Sequence, residues 1–92
     1  MKKLTLFYLE DCPYCHNAKK ALKELRKENL AYARVEIDWF EESREPVLAN
    51  NFDYYYVPSV FCEGKKLYEA QPRETFAACK ENLRACLEAA LG

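Results

Sequence analysis

The stretch LTLFYLEDCPYC, from Leu4 to Cys15, contains the change of pattern that decides the fold. Its first half, from Leu4 to Leu9, is apolar or β-favouring throughout, which is typical of a central strand covered on both faces. From Tyr14 onward the apolar residues take helical spacing. Pro13 suits the first turn of that helix, where a missing N–H costs no hydrogen bond. The sequence therefore predicts a buried strand that leads directly into a helix.

The two cysteines of this stretch are predicted to lie in different environments. Residues three and four apart form one apolar face of the predicted helix, and the second cysteine belongs to it: Cys15, Ala18, Leu22 and Leu25. Charged residues fill most of the remaining surface, and Asn29 marks the expected helix end. We therefore expect Cys12 at or before the helix start and Cys15 in the buried stripe.

The segments after this helix predict a strand, a short helix and a loop. Residues 31–38 alternate between apolar and charged, which predicts a half-buried strand parallel to the first and joined to it by a right-handed crossover. Residues 39–51 predict a short helix that starts near Glu41, with Pro46 in its first turn or at a bend. Residues 52–56 predict an aromatic loop.

The last part of the chain predicts a hairpin and a long helix. Residues 58–62 and 66–68 are short β-like runs on either side of Gly64, which suits a tight turn. Residues 73–90 place one set of side chains on a single helical face: Phe76, Cys79, Leu83, Cys86 and Ala90. The predicted fold is α/β, in the order β-α-β-α-β-β-α, with a four-stranded mixed sheet flanked by helices. The length fits a single domain over residues 1–92.

The charge balance and the cysteine count limit the classes of function. The net charge is −1 and the isoelectric point about 5.9, whereas a nucleic-acid-binding domain usually has a basic face. The apolar run Leu4–Leu9 is shorter than a signal-peptide core, and no segment is apolar over the ~18 residues of a membrane span. We expect a cytoplasmic protein with no nucleic-acid or membrane partner. In that compartment a C-x-x-C pair is catalytic or metal-binding more often than structural.

Two motifs and the order of elements carry a resemblance that covers essentially the whole chain. The C-P-Y-C motif (residues 12–15) follows the first predicted strand, and the Y-V-P triplet (residues 56–58) precedes the third. In these features the sequence resembles the glutaredoxins of the thioredoxin superfamily. The resemblance implies a thioredoxin-like fold, thiol–disulfide exchange, and a cis peptide bond before Pro58 beside the reactive sulfur.

The sequence departs from this family at the places that usually hold glutathione. Glutaredoxins usually carry a basic residue three positions before the first cysteine, where this chain has Leu9. They usually follow the hairpin with a Gly-Gly pair and a paired-Asp motif, where this chain has residues 68–72, YEAQP. The redox motif is therefore complete, whereas the usual glutathione-holding residues are absent.

The motifs assign roles to seven residues. A thiolate is the attacking species in thiol–disulfide exchange, and a helix start favours a negative charge, although Glu10 and Asp11 oppose it. We expect Cys12 to be the nucleophile and Cys15 the resolving thiol, with Pro13 and Tyr14 between them in the motif. The predicted substrate-binding residues are Tyr56, Val57 and Pro58. The Val57 backbone would bind an extended substrate, and the Pro58 ring would keep metal from the thiolates.

We expect a thiol–disulfide oxidoreductase that reduces protein disulfides or glutathione mixed disulfides, with no bound cofactor, no metal site, and glutathione as a candidate reductant. One alternative is a protein-disulfide reductase served by thioredoxin reductase instead of glutathione. Another is a non-catalytic metal or iron–sulfur carrier, although a structural zinc site needs four ligands and the sequence offers no second close pair. The three other cysteines are expected to be small core residues: Cys62, Cys79 and Cys86.

Overall fold

A computed structural model describes all residues, 1–92, and contains one mixed sheet of four strands. The strands are β1 (Leu4–Tyr8), β2 (Ile37–Glu41), β3 (Ser59–Cys62) and β4 (Lys65–Glu69). Their order across the sheet is β2-β1-β3-β4. The pair β1–β2 is parallel, and the pairs β1–β3 and β3–β4 are antiparallel. The first strand is therefore central, as its apolar sequence predicts.

Four helices connect and cover the strands. They are α1 (Pro13–Glu28), α2 (Leu30–Ala33), α3 (Pro46–Asn50) and α4 (Phe76–Leu91). The predicted α/β architecture with a four-stranded mixed sheet is confirmed, with α2 as an additional short helix. No helix combines the length and the apolar composition that crossing a bilayer would require.

The two faces of the sheet carry different cores because successive side chains of a strand point to opposite faces. Leu4 and Leu6 join an aliphatic core with the apolar stripes of α1 and α4. Phe7 belongs to an aromatic cluster, in which its ring stacks on Tyr54 at a centroid distance of 5.1 Å. The other members of that cluster are Phe40, Phe52 and Phe61. The burial of Leu6 and Phe7 together fixes β1 in the middle of the sheet.

The prediction of a strand over residues 31–38 is wrong for residues 31–36. The Asn29 side chain accepts a hydrogen bond from the Ala31 N–H at 2.9 Å, and this cap starts the short helix α2 immediately after α1. Tyr32 is buried, and its hydroxyl donates to the Glu88 carboxylate on α4. The strand begins only at Ile37, because a capped and anchored helical turn replaces its predicted beginning.

The short helix predicted in residues 39–51 exists but begins later than predicted. Residues 39–41 extend β2, in parallel register with Leu6–Tyr8. The helix α3 begins at Pro46, which occupies its first turn. The Glu41 carboxylate, which suggested a helix start, is buried at the end of the strand and accepts hydrogen bonds from Ser43.

The hairpin and the final helix agree with the sequence pattern. Glu63 and Gly64 form the two-residue turn, with φ of 51° and 80°. Positive φ at both positions is typical of a type I′ turn, which matches the twist of the strands. The last helix begins after Thr75, whose hydroxyl accepts from the Ala78 N–H at 3.0 Å, so it starts a little later than predicted.

Replacing Leu25 tests how strongly the α1 stripe supports this fold. Leu25 is fully buried, and a Leu→Ala change in such a site costs about 2–5 kcal/mol. Leu30 is 80% exposed, and we expect its replacement to change stability by less than about 0.5 kcal/mol. Urea unfolding followed by far-ultraviolet circular dichroism measures both variants. Equal destabilisation by Leu25→Ala and Leu30→Ala would contradict this packing.

Candidate active site around Cys12

Cys12 is the N-cap residue of α1, at the end of the loop that leaves β1. Its carbonyl accepts hydrogen bonds from the Cys15 and His16 N–H groups, both at 3.0 Å. The Tyr14 N–H has no acceptor within the chain, and Pro13 has no N–H. The first turn therefore offers an unpaired donor and the positive end of the helix dipole beside Cys12, which favours negative charge there.

The two sulfur atoms of the motif differ in exposure and in hydrogen bonding. Cys12 is half-buried, and its thiol donates to the Val57 carbonyl with a sulfur–oxygen distance of 3.6 Å. Cys15 is fully buried, and its sulfur accepts from the Leu9 N–H at 3.5 Å. Burial raises the pKa of the Cys15 thiol to about 12, although the Leu9 N–H partly opposes this. The nearby Cys12 sulfur contributes to the same rise.

Two side chains hold the loop between β1 and Cys12. His16 is an exposed helix residue, and its Nε2 lies 2.7 Å from the Glu10 carbonyl oxygen of the loop. The Glu41 Oε2 accepts from the Glu10 N–H at 3.3 Å. Its Oε1 accepts from the Ser43 N–H at 2.7 Å and from the Ser43 hydroxyl at 2.5 Å. These hydrogen bonds hold the pKa of Glu41 below its usual value, and the bond from the Ser43 hydroxyl has the largest effect.

The segment opposite Cys12 presents backbone groups of Val57. The Val57–Pro58 peptide bond is cis, as the resemblance implied, and Pro58 is buried. The Val57 carbonyl faces the Cys12 sulfur, and the Val57 N–H has no acceptor within the chain. Val57 therefore has one free donor and one carbonyl beside the half-exposed thiol.

Glu69 fixes the loop that leads into Val57. Its Oε2 accepts from the N–H groups of Tyr55 at 2.7 Å and Tyr56 at 2.8 Å. Its Oε1 accepts from the Lys66 ammonium, also at 2.7 Å. Burial raises the pKa of Glu69, but the bonds from Lys66, Tyr56 and Tyr55 outweigh burial and hold that pKa below its usual value. Glu69 is not among the residues predicted from the sequence, because a glutamate near a strand end is typical of a solvated surface charge.

Two clefts lie on either side of the Cys12 region. The cleft on the β2 side has a volume of about 330 Å³ and is lined by Leu9, Glu10, Asp11, Cys12, Glu41 and Ser43. A smaller pocket on the β3–β4 side has a volume of about 150 Å³. We call it the tyrosine pocket, and its lining residues are Tyr14, Tyr56, Val57, Ala70, Gln71 and Pro72. All the predicted site residues thus come to one end of the sheet, although they belong to two separate segments of the chain.

The remaining cysteines lie away from this site. All three are buried in the aliphatic core: Cys62, Cys79 and Cys86. Burial raises the pKa of Cys86 to about 12 and raises that of Cys79 as well. No three side chains of the His, Cys, Asp or Glu type gather in an arrangement that holds a metal ion.

The sheet order, the cysteine pair at the start of α1 and the cis-proline beside it define a thioredoxin-like fold. A solved structure described as that of a malarial protein supports this fold, with a TM-score of 0.65 and 15% sequence identity over 97% of this chain and 96% of that one. The glutaredoxin family model matches residues 4–67, and the chain belongs to the glutaredoxin family. No curated protein sequence matches it. Family membership supports a general role as a thiol–disulfide oxidoreductase.

The burial pattern predicts one fast-reacting thiol. In the native protein at about pH 8, iodoacetamide should modify Cys12 at least ~100-fold faster than any other cysteine, because the thiolate is the reactive form and needs access. A thiol with the pKa of Cys15, about 12, is ionised in roughly one molecule in ten thousand at that pH. Peptide mapping by mass spectrometry after timed quenching measures each site. Modification of a core cysteine as early as Cys12 would contradict the prediction.

The buried Glu41 carboxylate makes a pH-dependent contribution to stability. Its pKa in the folded state is below the unfolded value of about 4.3, so its contribution is fully present above that value and is lost as the pH falls through the folded pKa. We expect Glu41→Gln to unfold at lower urea than the native protein near neutral pH, with the gap closing as the pH falls through the folded pKa of Glu41. The exposed Glu36, 3.7 Å from Lys3, provides the control Glu36→Gln. A gap that stays constant with pH would contradict this role of Glu41.

Proposed function

We propose that this protein is a dithiol thiol–disulfide oxidoreductase, with Cys12 as the nucleophile and Cys15 as the resolving thiol. One observation carries the proposal above the others. The Cys12 sulfur is half-exposed at the start of α1 and lies 3.6 Å from the Val57 carbonyl, while Cys15 is buried in the first turn of the same helix. The proposed substrates are disulfides of proteins or mixed disulfides of glutathione, in the cytoplasm.

In the first step, the Cys12 thiolate attacks one sulfur of the substrate disulfide. The Cys12–substrate bond forms as the substrate S–S bond breaks, and the second substrate sulfur leaves as a thiolate that takes up a proton. The unpaired Tyr14 N–H and the helix dipole stabilise the attacking thiolate. The Val57 N–H and carbonyl hold the substrate backbone extended beside Cys12.

In the second step, Cys15 loses its proton and attacks the Cys12 sulfur. The Cys12–Cys15 disulfide forms, and the substrate sulfur leaves as a thiolate, so the protein is oxidised by two electrons and the substrate is reduced. The high pKa of Cys15, about 12, keeps this thiol protonated in the reduced protein. In the mixed disulfide, Cys12 no longer carries a charge that opposes ionisation of Cys15, while the Leu9 N–H still stabilises the Cys15 thiolate.

The reductant that reopens the Cys12–Cys15 disulfide is either glutathione or thioredoxin reductase. The surroundings of Cys12 are unfavourable for glutathione and support thioredoxin reductase as the alternative partner. Leu9 stands where the family usually has a basic residue, and the β2-side cleft contains the carboxylates of Glu10, Asp11 and Glu41. These negative charges oppose the approach of an anionic tripeptide such as glutathione.

Serine replacements of the two motif cysteines test the mechanism. We expect Cys12→Ser to lower disulfide reduction by roughly 1,000-fold or more, because removing a covalent nucleophile removes the reaction path. Cys15→Ser should instead accumulate a mixed disulfide between Cys12 and the substrate, visible as an added mass in the intact protein. Cys62→Ala, which changes a core thiol, is the control and should keep full activity. Full activity of Cys12→Ser would refute the proposal.

The same oxidised protein distinguishes the two reductants. It is mixed either with glutathione and glutathione reductase or with thioredoxin reductase alone, and consumption of NADPH is followed. Turnover in the first assay alone identifies a glutathione-dependent enzyme, and turnover in the second alone identifies the alternative.

A further inference from the structure

The tyrosine pocket lies directly beside the proposed substrate-binding backbone and has room for one side chain. Its volume is about 150 Å³, whereas clefts that enclose a whole small molecule usually measure ~300–1,000 Å³. Four of its six lining residues are hydrophobic, and none of the six carries a charge. The pocket therefore suits a single apolar group better than a complete charged ligand.

The walls of the tyrosine pocket are held in place by hydrogen bonds between segments. The Tyr14 hydroxyl accepts from the Arg73 N–H at 2.8 Å, which joins α1 to the segment after β4. The Ala70 N–H donates to the Pro58 carbonyl at 2.9 Å. The Tyr56 N–H donates to Glu69, which is itself paired with Lys66. Each of the three contributing segments is thus fixed to another part of the site, so the pocket is pre-formed.

The position of Val57 connects this pocket with an extended substrate. An extended chain that pairs with the Val57 N–H and carbonyl forms an antiparallel pair, and directly opposed residues of such a pair carry their side chains on the same face, ~4.5–5.5 Å apart. Val57 itself lines the tyrosine pocket. The substrate residue next to the half-cystine that Cys12 attacks is thereby brought to the mouth of this pocket.

We propose, on the basis of the proposed function, that the tyrosine pocket binds one apolar side chain of a polypeptide substrate, adjacent to the half-cystine under attack. The preferred substrates are accordingly protein disulfides flanked by an apolar residue. Glutathione does not fit this site well, because its carboxylates would need cationic partners and the pocket offers none. The carboxylates of Glu10 and Asp11 lie on the other side of Cys12, and only Glu10 has an ion-pair partner, Arg44 at 3.6 Å.

Two exposed tyrosines provide a matched pair of variants. Tyr55 and Tyr56 are neighbours, and both donate their N–H groups to the same Glu69 oxygen. Tyr56 lines the tyrosine pocket, whereas Tyr55 does not and is 90% exposed. Tyr56→Ala therefore removes a pocket wall, and Tyr55→Ala makes the same chemical change beside the pocket.

The experiment uses two peptide disulfides that differ only beside the half-cystine, where one has leucine and the other asparagine. The second-order rate constant for single-turnover oxidation of the reduced protein is measured by acid quenching and chromatography. We expect the native protein to prefer the leucine peptide on the order of 10-fold, the gain from burying most of one leucine side chain. Tyr56→Ala should reduce that preference to less than about 2-fold, while Tyr55→Ala should keep it.

Each contrary outcome identifies which idea has failed. Equal rates with both peptides, or a Tyr56→Ala variant that slows both peptides alike, would overturn the side-chain pocket and leave the proposed function intact. If glutathione disulfide reacts faster than the leucine peptide, and if Tyr56→Ala slows the reaction with glutathione disulfide, the pocket binds glutathione instead. Failure of the native protein to react with any disulfide would refute the proposed function itself.

Discussion

The antiparallel register between β1 and β3 is the constraint on which the candidate site depends. Phe7 pairs with Ser59, so the end of β1 lies beside the beginning of β3. The loop that follows β1 ends in Cys12, and the loop that precedes β3 ends in Val57 and Pro58. The two loops therefore meet, although Cys12 and Val57 are 45 residues apart. The aromatic cluster around Phe7 and the aliphatic core around Leu6 fix this register, because a shift by one residue would exchange the two faces.

The same arrangement makes the two thiols of the motif chemically unequal. A helix that packs on a sheet must turn one face inward, and the spacing of its apolar residues puts Cys15 on that face. Cys12 lies one turn earlier, at the open end of the helix, where water and a substrate can reach it. Burial raises the pKa of Cys15, so the buried thiol is protonated near neutral pH. The proposed attacking and resolving roles thus rest on the position of each cysteine on one helix.

Local sequence patterns predicted the local parts of this structure. The strand before Cys12, the α1 stripe and the hairpin at Gly64 each depend on residues close in sequence, and each was predicted. The strand predicted over residues 31–38 begins only at Ile37, because the Asn29 side chain caps a short helix in a segment whose alternating pattern also fits a helical turn. The cis bond at Pro58 followed from the family resemblance, since nothing in the local sequence distinguishes it from a trans bond.

The part of the site that the sequence could not predict consists of its internal carboxylates. Glu41 and Glu69 look like ordinary surface charges in the sequence, but both accept backbone N–H groups of the loops beside Cys12. Each carboxylate makes its hydrogen bonds within the protein. Glu41 fixes the loop that contains Glu10, and Glu69 fixes the loop that contains Tyr56. Glu69 lies in the segment that usually binds glutathione in this family. In this protein its carboxylate oxygens instead accept hydrogen bonds from the protein itself. What this segment presents at the surface is therefore mainly the apolar lining of the tyrosine pocket, and the proposed recognition of a substrate side chain rests on shape and apolar contact more than on charge.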